Sequence, residues 1–197
     1  MIRLRGLLRR SRGEAGYSLI EMLTVLVIMG IVMEALTTLF VRASTAEADM
    51  NNRFRSQQNA RLALDKMRRE IHCADTVTKG TSTSPTGPLA AYYINVTLPS
   101  GCATNTTGAS LTVTWCTEGS GSRWGVYRIS GSTTCTGGTR YADYLTKPNI
   151  FDYTAPASGS GILPKINVDM PVNVAPQKSL DLYELQDDIA LRNGTRG

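Results

Sequence analysis

The feature that most constrains this chain of 197 residues is an apolar run close to its N-terminus. Residues 22–33 carry no charged side chain, and they lie between two acids, Glu21 and Glu34. The longer segment 17–41 is long enough to cross the ~30 Å hydrocarbon layer of a bilayer as a helix. The sequence therefore predicts a helix that is held in a membrane near the N-terminus.

Glu21 is unusual in such a run, because an ionised acid at membrane depth costs about 2.5 to 3.5 kcal/mol on the insertion scale. Tyr17 lies one helical turn upstream on the same face. If the chain were cut after Gly16, Tyr17 would carry a new ammonium group, and the start of a helix favours a nearby acid by a further ~0.3 to 1 kcal/mol. An amine at the helix start is therefore the predicted counter-charge of Glu21.

The segment Gly16-Tyr17-Ser18-Leu19-Ile20-Glu21 follows the basic leader 1–16, and together they resemble the type IV prepilin signature. Pilins and the pseudopilins of type II secretion share this signature, in which Phe is commoner than Tyr after the cut. The resemblance implies that a prepilin peptidase cuts between Gly16 and Tyr17 and methylates the Tyr17 amine. It also implies that Glu21 neutralises the amine of a neighbouring subunit during filament assembly.

An ordinary secretory signal is the alternative interpretation of a basic segment followed by an apolar one. Cleavage would then follow the apolar run, at a site such as Ala43-Ser44-Thr45-Ala46. Two acids within the run and an uninterrupted helical pattern argue against this alternative. The second acid, Glu34, has no role in the prepilin pattern, and both an interfacial position and an inter-subunit pair remain open for it.

The charge distribution indicates topology rather than a polyanionic partner. The net formal charge is +5, but the leader alone holds five arginines and one glutamate. Positive flanks stay in the cytoplasm. The sequence predicts a single-pass inner-membrane protein whose C-terminal part is extracytoplasmic.

Four cysteines lie beyond the apolar run, where an oxidising compartment is expected: Cys73, Cys102, Cys116 and Cys135. Their even number predicts two disulfides, with three possible connectivities. We favour Cys116 with Cys135, because each ends a strand-like run, and Cys73 with Cys102, which would pin the helix end to the globular part. Free thiols or a zinc site are disfavoured, since no pair is spaced C-x-x-C and His72 is the only histidine.

Glycine and proline divide the chain. All eight prolines fall at or after Pro85, and Gly30 is the only glycine in residues 17–79. Residues 17–79 can therefore form one helix of ~90 Å, with 17–41 spanning the membrane or forming a filament core. Residues 80–197 are rich in Thr, Ser and Gly. The predicted fold class is α+β, a pilin-like long helix packed on an antiparallel sheet.

The second half of the predicted helix is amphipathic. Asp65 with Arg69 and Lys66 with Glu70 form i,i+4 pairs, which predict a solvated face. A coiled-coil dimer is the alternative, but the pattern lasts only about two heptads. The predicted buried stripe consists of Ala60, Leu64, Met67, Ile71 and Ala74.

Short alternating runs after a predicted loop at 80–88 indicate roughly four to seven antiparallel strands. The clearest runs are 94–98, 111–115 and 124–129, the last two forming a hairpin. Weaker candidates are 140–145, 166–170 and 180–186, followed by 189–192.

No catalytic, cofactor or metal site is predicted. His72 adjoins Cys73 at the helix end, where a capping or surface role is favoured over catalysis. Some pseudopilins bind calcium, but Asp143, Asp187 and Asp188 have no ligand spacing and are expected to be solvated turn acids.

Aromatic and basic residues interleave in the strand region, a composition that single-stranded nucleic-acid grooves use. Cross-strand pairing is the favoured interpretation of this set. The set comprises Trp115, Trp124, Tyr127 and Tyr141 with Arg123, Arg128 and Arg140.

Three function classes follow. The first is a structural subunit, a minor pilin or pseudopilin that initiates or caps assembly, since the tail 189–193 is similar to the Leu-Arg-Asn ending of larger minor subunits. Its implied partners are other pilin or pseudopilin subunits, prepilin peptidase, the inner-membrane assembly platform and membrane lipid. The second is a pilus module that binds DNA or a surface, and the third, an anchored enzyme, lacks site residues.

Overall fold

The computed structural model describes residues 16–82, 91–133, 135, 137–155, 161–175 and 182–193. Most of the predicted leader and of the predicted loop 80–88 lie outside these residues. One α-helix and eight β-strands follow in chain order: α1 Leu19–Cys73, β1 Thr76–Ser82, β2 Ala91–Leu98, β3 Leu111–Ser120, β4 Arg123–Ser130, β5 Thr139–Leu145, β6 Phe151–Thr154, β7 Lys165–Val172 and β8 Tyr183–Ala190. The α+β prediction is confirmed. The chain divides into two compact units, Met1–Ala48 and Asp49–Gly197.

The helix ends at Cys73, earlier than the predicted limit at residue 79. The Asp75 N–H donates to the carbonyl of Thr97, and β1 then pairs with β2 from Thr76↔Thr97 onward. Thr76, Val77 and Thr78 are β-branched, and such residues favour a pleated, half-buried strand. Because these residues pair with β2, the helix ends at Cys73, although no glycine or proline between that point and residue 80 requires it to end.

All strand pairs among the described residues are antiparallel. The sheet order is β1-β2-β3-β4-β5-β7-β6, and β8 pairs with β7 along the other edge of that strand. Lys79 of β1 lies 3.5 Å from Asp152 of β6, so the sheet curls until its two ends approach each other. The described residues contain eight strands, more than the predicted four to seven. The sequence does not predict β1, because residues 76–79 are assigned to the helix, and β6 has only four residues and carries no readable alternation. The predicted runs 180–186 and 189–192 both overlap the single strand β8.

The predicted hairpin of β3 and β4 is confirmed, with Ser120 opposite Arg123. Its turn is shorter than predicted, since residues 118–120 continue β3 and only Gly121 and Ser122 connect the strands. Gly121 has a φ of 59°, the left-handed conformation that glycine adopts without steric cost.

The core of the second unit lies between the C-terminal part of α1 and one face of the sheet. The five predicted stripe residues are all buried there, together with Ala63. The inward residues of β2, Ile94, Val96 and Leu98, are fully buried, as the alternation predicts. Helix periodicity and strand alternation therefore indicate the same interior.

Glu70 corrects the prediction of a solvated helix face. Its side chain is fully buried, and its carboxylate accepts hydrogen bonds from the Trp115 indole at 2.8 Å and from Arg128 at 2.8 and 3.0 Å. The Nζ of Lys66, one turn earlier in the helix, lies 3.6 Å from the Glu70 carboxylate. Asp65 pairs at 3.7 Å with Arg68 instead of the predicted Arg69. The helix sequence could not reveal Glu70 as buried, because its strongest partners come from β3 and β4.

The four cysteines form one disulfide and one thiol contact in the structure. Cys73 and Cys102 form a disulfide that joins the helix end to the loop after β2. Cys116 and Cys135 are free thiols that share a hydrogen bond, so the predicted bridge between them stays a prediction. This hydrogen bond, together with burial, raises the pKa of the Cys116 thiol.

Replacing Glu70 with Ala should lower the free energy of unfolding by about 3 to 5 kcal/mol, because Arg128 would be left as a buried charge without its carboxylate. The measurement is chemical denaturation of the full chain in detergent, followed by the fluorescence of Trp115 and Trp124, which are both buried. Asp65→Ala is the control, since its exposed ion pair should contribute at most about 1 kcal/mol. Equal losses for the two variants would contradict the buried-pair role of Glu70.

Replacing Cys102 with Ser should lower the free energy of unfolding by about 2 to 4 kcal/mol, because the unfolded chain would lose the cross-link across 29 positions. Cys135→Ser is the matched control, since it removes a sulfur that is not in a disulfide. Denaturation curves of both variants, recorded without reductant, check this expectation. Equal free energies of unfolding for Cys102→Ser and the unaltered chain would show that the disulfide does not stabilise the fold.

Candidate functional site

The candidate site is the start of α1, where three residues precede a regular helix. The carbonyl of Ser18 accepts the first two helical hydrogen bonds, from the N–H groups of Glu21 at 2.9 Å and Met22 at 3.2 Å. Ser18 is therefore the N-cap, and Glu21 is the third helical residue, an S-x-x-E spacing that is favoured at helix starts. The sequence thus starts the helix immediately behind the Gly16–Tyr17 bond and puts an acid in its first turn.

The carboxylate of Glu21 has no hydrogen-bond or ion-pair partner among the residues that the structure describes. The neighbouring Thr24 hydroxyl donates to the backbone carbonyl of Glu21 instead, at 2.9 Å. The Tyr17 side chain is 78% exposed. Both ends of the predicted amine–acid pairing are therefore accessible to another molecule.

The helix surface behind this site is apolar and uncovered. Every large apolar side chain from Leu19 to Val41 is exposed, and the exposed fraction ranges from 47% at Val32 to 82% at Leu19. This part of α1 is long and apolar enough to cross a membrane, by length and composition. An apolar surface of this extent needs lipid or other helices to cover it.

Gly16 is not required by the fold of the described residues. A Cβ atom added there would meet nothing within 4 Å, and its φ does not lie in the left-handed region. Any requirement for glycine at this position would then come from a molecule that acts on the Gly16–Tyr17 bond.

A family model for the prokaryotic N-terminal methylation motif matches residues 11–33. The matched segment contains the Gly16–Tyr17 bond, the N-cap Ser18 and the acid Glu21. The chain carries the type IV prepilin signature. Neither a curated protein nor a solved structure gives a significant match to this pilin-like chain.

At the other end of α1, three groups attach the helix of this pilin-like protein to the sheet. The Nδ1 of His72 lies 2.7 Å from the carbonyl of Ala190, and the amide of Asn193 donates to the carbonyl of Cys73 at 2.8 Å. The disulfide to Cys102 is the third. His72 therefore has a structural contact. Asn193, in the tail that is similar to that of minor subunits, has another.

The interleaved aromatic and basic residues are divided between the core and the surface. Trp115 and Trp124 are buried, and Tyr141 packs edge-on against Trp115 with ring centroids 5.2 Å apart. Arg128 is only 15% exposed and is paired with Glu70. Aromatic and basic residues alternate because one face of the sheet lies in the core. Trp115 and Arg128 are cross-strand partners, in agreement with the favoured interpretation.

Asp143 is not available as a calcium ligand, since it pairs with Arg123 at 2.9 Å and Arg140 at 3.2 Å. Burial raises the pKa of Asp143, but the hydrogen bonds from Arg123 and from the Tyr144 N–H outweigh it, so the net pKa lies below its ordinary value. The Arg123 guanidinium also stacks on the Tyr144 ring, 4.2 Å from its centroid.

The other two acids considered as calcium ligands are paired in the same way. Asp187 contacts Arg68 at 2.8 Å, and Asp188 contacts Lys165 at 3.0 Å. All three acids therefore neutralise basic side chains rather than standing in solvated turns. No group of three or more potential metal ligands occurs in the part of the chain that the structure describes.

Proposed function

We propose that this protein is a minor pilin or minor pseudopilin, a structural subunit that initiates or caps a type IV pilus-like filament. A prepilin peptidase removes the leader at Gly16 and methylates the amine of Tyr17. Glu21 then binds that amine on a neighbouring subunit while the inner-membrane assembly platform extrudes the filament. The chain acts through assembly and has no reaction of its own.

The observation that carries this proposal is Glu21, which lies in the first turn of the exposed apolar part of α1, directly behind a Gly–Tyr bond, and has no partner among the described residues. An acid in this position costs about 2.5 to 3.5 kcal/mol in lipid. The amine produced by cleavage supplies the missing charge at the same depth. Cleavage would thus convert a poorly tolerated acid into an assembly contact.

Two observations support an extracytoplasmic second unit. The basic leader favours a cytoplasmic N-terminus. The Cys73–Cys102 disulfide is typical of an oxidising compartment such as the periplasm or the cell surface. The second unit would therefore be carried on the outside of the filament or its precursor.

A minor role is supported by the C-terminal tail and by the apolar half of α1. The resemblance of residues 189–193 to the Leu-Arg-Asn ending is matched by a structural use, since Asn193 bonds to the end of the helix. The apolar half of α1 contains no proline, whereas many major pilins have one there.

Replacing Gly16 with Leu should stop processing, because the added side chain would meet the peptidase rather than this chain's own fold. The intact mass and the N-terminal sequence of the membrane fraction measure this: the unaltered protein should begin at Tyr17 with a methylated amine, and the variant should retain the leader. Gly13→Leu is the control within the leader and should still be cut. Processing of Gly16→Leu at the unaltered rate would refute the assigned cleavage position.

Replacing Glu21 with Ala should leave cleavage intact but lower incorporation into sheared filaments by more than about tenfold. The reason is that an unneutralised amine would cost about 2.5 to 3.5 kcal/mol, and 1.4 kcal/mol corresponds to a factor of ten. Incorporation is measured by immunoblot of the filament fraction relative to the membrane fraction. Glu47→Ala, an exposed acid on the same helix beyond the apolar run, is the matched control and should incorporate normally.

A further inference from the structure

We propose that Glu34 of one copy binds Arg42 of a neighbouring copy of this chain, as a second charged contact within the apolar helix bundle. The inference rests on the proposed function, because it requires subunits to pack side by side through this helix, and it adds that two copies of this chain are neighbours in the assembly. It assigns a partner to the acid that the prepilin signature leaves unexplained.

Glu34 and Arg42 lie on the exposed apolar part of α1, within the first unit. Neither side chain has a hydrogen-bond or ion-pair partner among the described residues. They line one shallow surface together with Ile31, Ala35, Thr38 and Leu39. An acid and a base therefore face outward from the same apolar stripe, and each lacks a counter-charge.

Local groups do not satisfy the carboxylate of Glu34. The hydroxyls of Thr37 and Thr38, the nearest polar side chains, donate to the backbone carbonyls of Met33 and Glu34 at 2.7 and 2.9 Å. Arg42 is eight positions away, about 12 Å along the helix. Helical side chains lean toward the N-terminus, so Glu34 leans away from Arg42 of its own chain although Arg42 leans toward Glu34, and the two groups form no ion pair in the structure. The described residues therefore supply no counter-charge to Glu34.

The depth of Glu34 makes that counter-charge necessary. It lies seven positions inside the outer end of the predicted span 17–41, about 10 Å deep. An acid in lipid costs about 2.5 to 3.5 kcal/mol. Arg42 lies next to the outer end, against the usual cytoplasmic preference of basic residues. Both unfavourable placements are relieved if the two groups meet between copies.

The direction of the offset agrees with the contact proposed for Glu21. The Tyr17 amine of an upper copy reaches Glu21 of a lower copy when the upper copy is raised by four positions, about 6 Å. Glu34 of the upper copy becomes level with Arg42 of the lower copy when it is raised by eight positions, about 12 Å. Both pairs require the same copy to be the upper one, and the Arg42 side chain, which leans toward the N-terminus, spans the remaining difference of about 6 Å between the two offsets.

Charge complementarity identifies the occupant as a second copy. This chain presents the acid and the base on the same segment, so in any two copies with this offset the upper copy supplies the acid and the lower copy supplies the base. A companion subunit with its own arginine is the competing occupant, and the experiment separates the two.

The test uses two copies of the full chain with different tags, expressed in one cell, cross-linked in the membrane and purified through one tag. The variants are Glu34→Arg and Arg42→Glu. When both tagged copies carry the same single change, like charges meet, and co-purification should fall by about tenfold or more, which corresponds to 1.4 kcal/mol.

Charge swapping provides the decisive readout. Pairing an E34R copy with an R42E copy places opposite charges at every mixed contact, so co-purification should return to the unaltered level, as it should for two E34R/R42E copies. Glu47→Arg on both copies is the control and should change nothing. Recovery is compared at equal membrane content, so that failed insertion is not scored as failed contact.

Two results would overturn the proposal. Unchanged co-purification of the single-change pairs would mean that the two groups do not meet. Loss in the single-change pairs without recovery in the mixed pair would place a different subunit opposite Glu34. In either case a normal Glu21→Ala defect would leave the proposed filament function intact, so the two failures are distinguishable.

Discussion

The structure depends on how one long helix satisfies its buried or lipid-facing acids. Glu21 and Glu34 project from a stretch whose apolar side chains are all exposed, and no group of the described chain neutralises them. Glu70, on the same helix, is fully buried and satisfied by Trp115 and Arg128. The same residue type therefore has opposite consequences along one element. Glu70 has its partners within the chain and fixes the fold, whereas we propose that Glu21 and Glu34 find theirs on a neighbouring subunit.

This contrast explains why a subunit of this kind can be stable before assembly and still assemble. The second unit is held by its own core, by the Glu70 cluster and by the disulfide at the helix end. Among the described residues, the first unit has no internal partner for its apolar surface or for Glu21 and Glu34. The free energy of assembly can then come from covering that surface and neutralising those charges, without unfolding the second unit.

The end of α1 shows how this junction with the sheet is secured. His72, Cys73 and Asn193 all contact segments that are distant in sequence, through a hydrogen bond to Ala190, the bridge to Cys102 and a hydrogen bond to Cys73. One of these contacts, the hydrogen bond from the Asn193 amide, caps the Cys73 carbonyl, which a helix end leaves without an intrahelical donor. A disulfide and hydrogen bonds, and not packing alone, would therefore hold the helix end in place against force or thermal motion along the helix.

The sequence by itself determined the features that are local. The prepilin segment, the apolar run, the stripe from Ala60 to Ala74 and the alternating strands all depend on residue types at fixed spacing, which helix and strand periods impose directly. Tertiary structure decided the rest. Glu70 looks like a surface acid because its i,i+4 neighbour is Lys66, and only the strands folding over it bring Arg128 and Trp115. Other features likewise depend on partners far along the chain, which no local pattern encodes. They are the end of α1 at Cys73, the short strand β6 and the free thiols of Cys116 and Cys135.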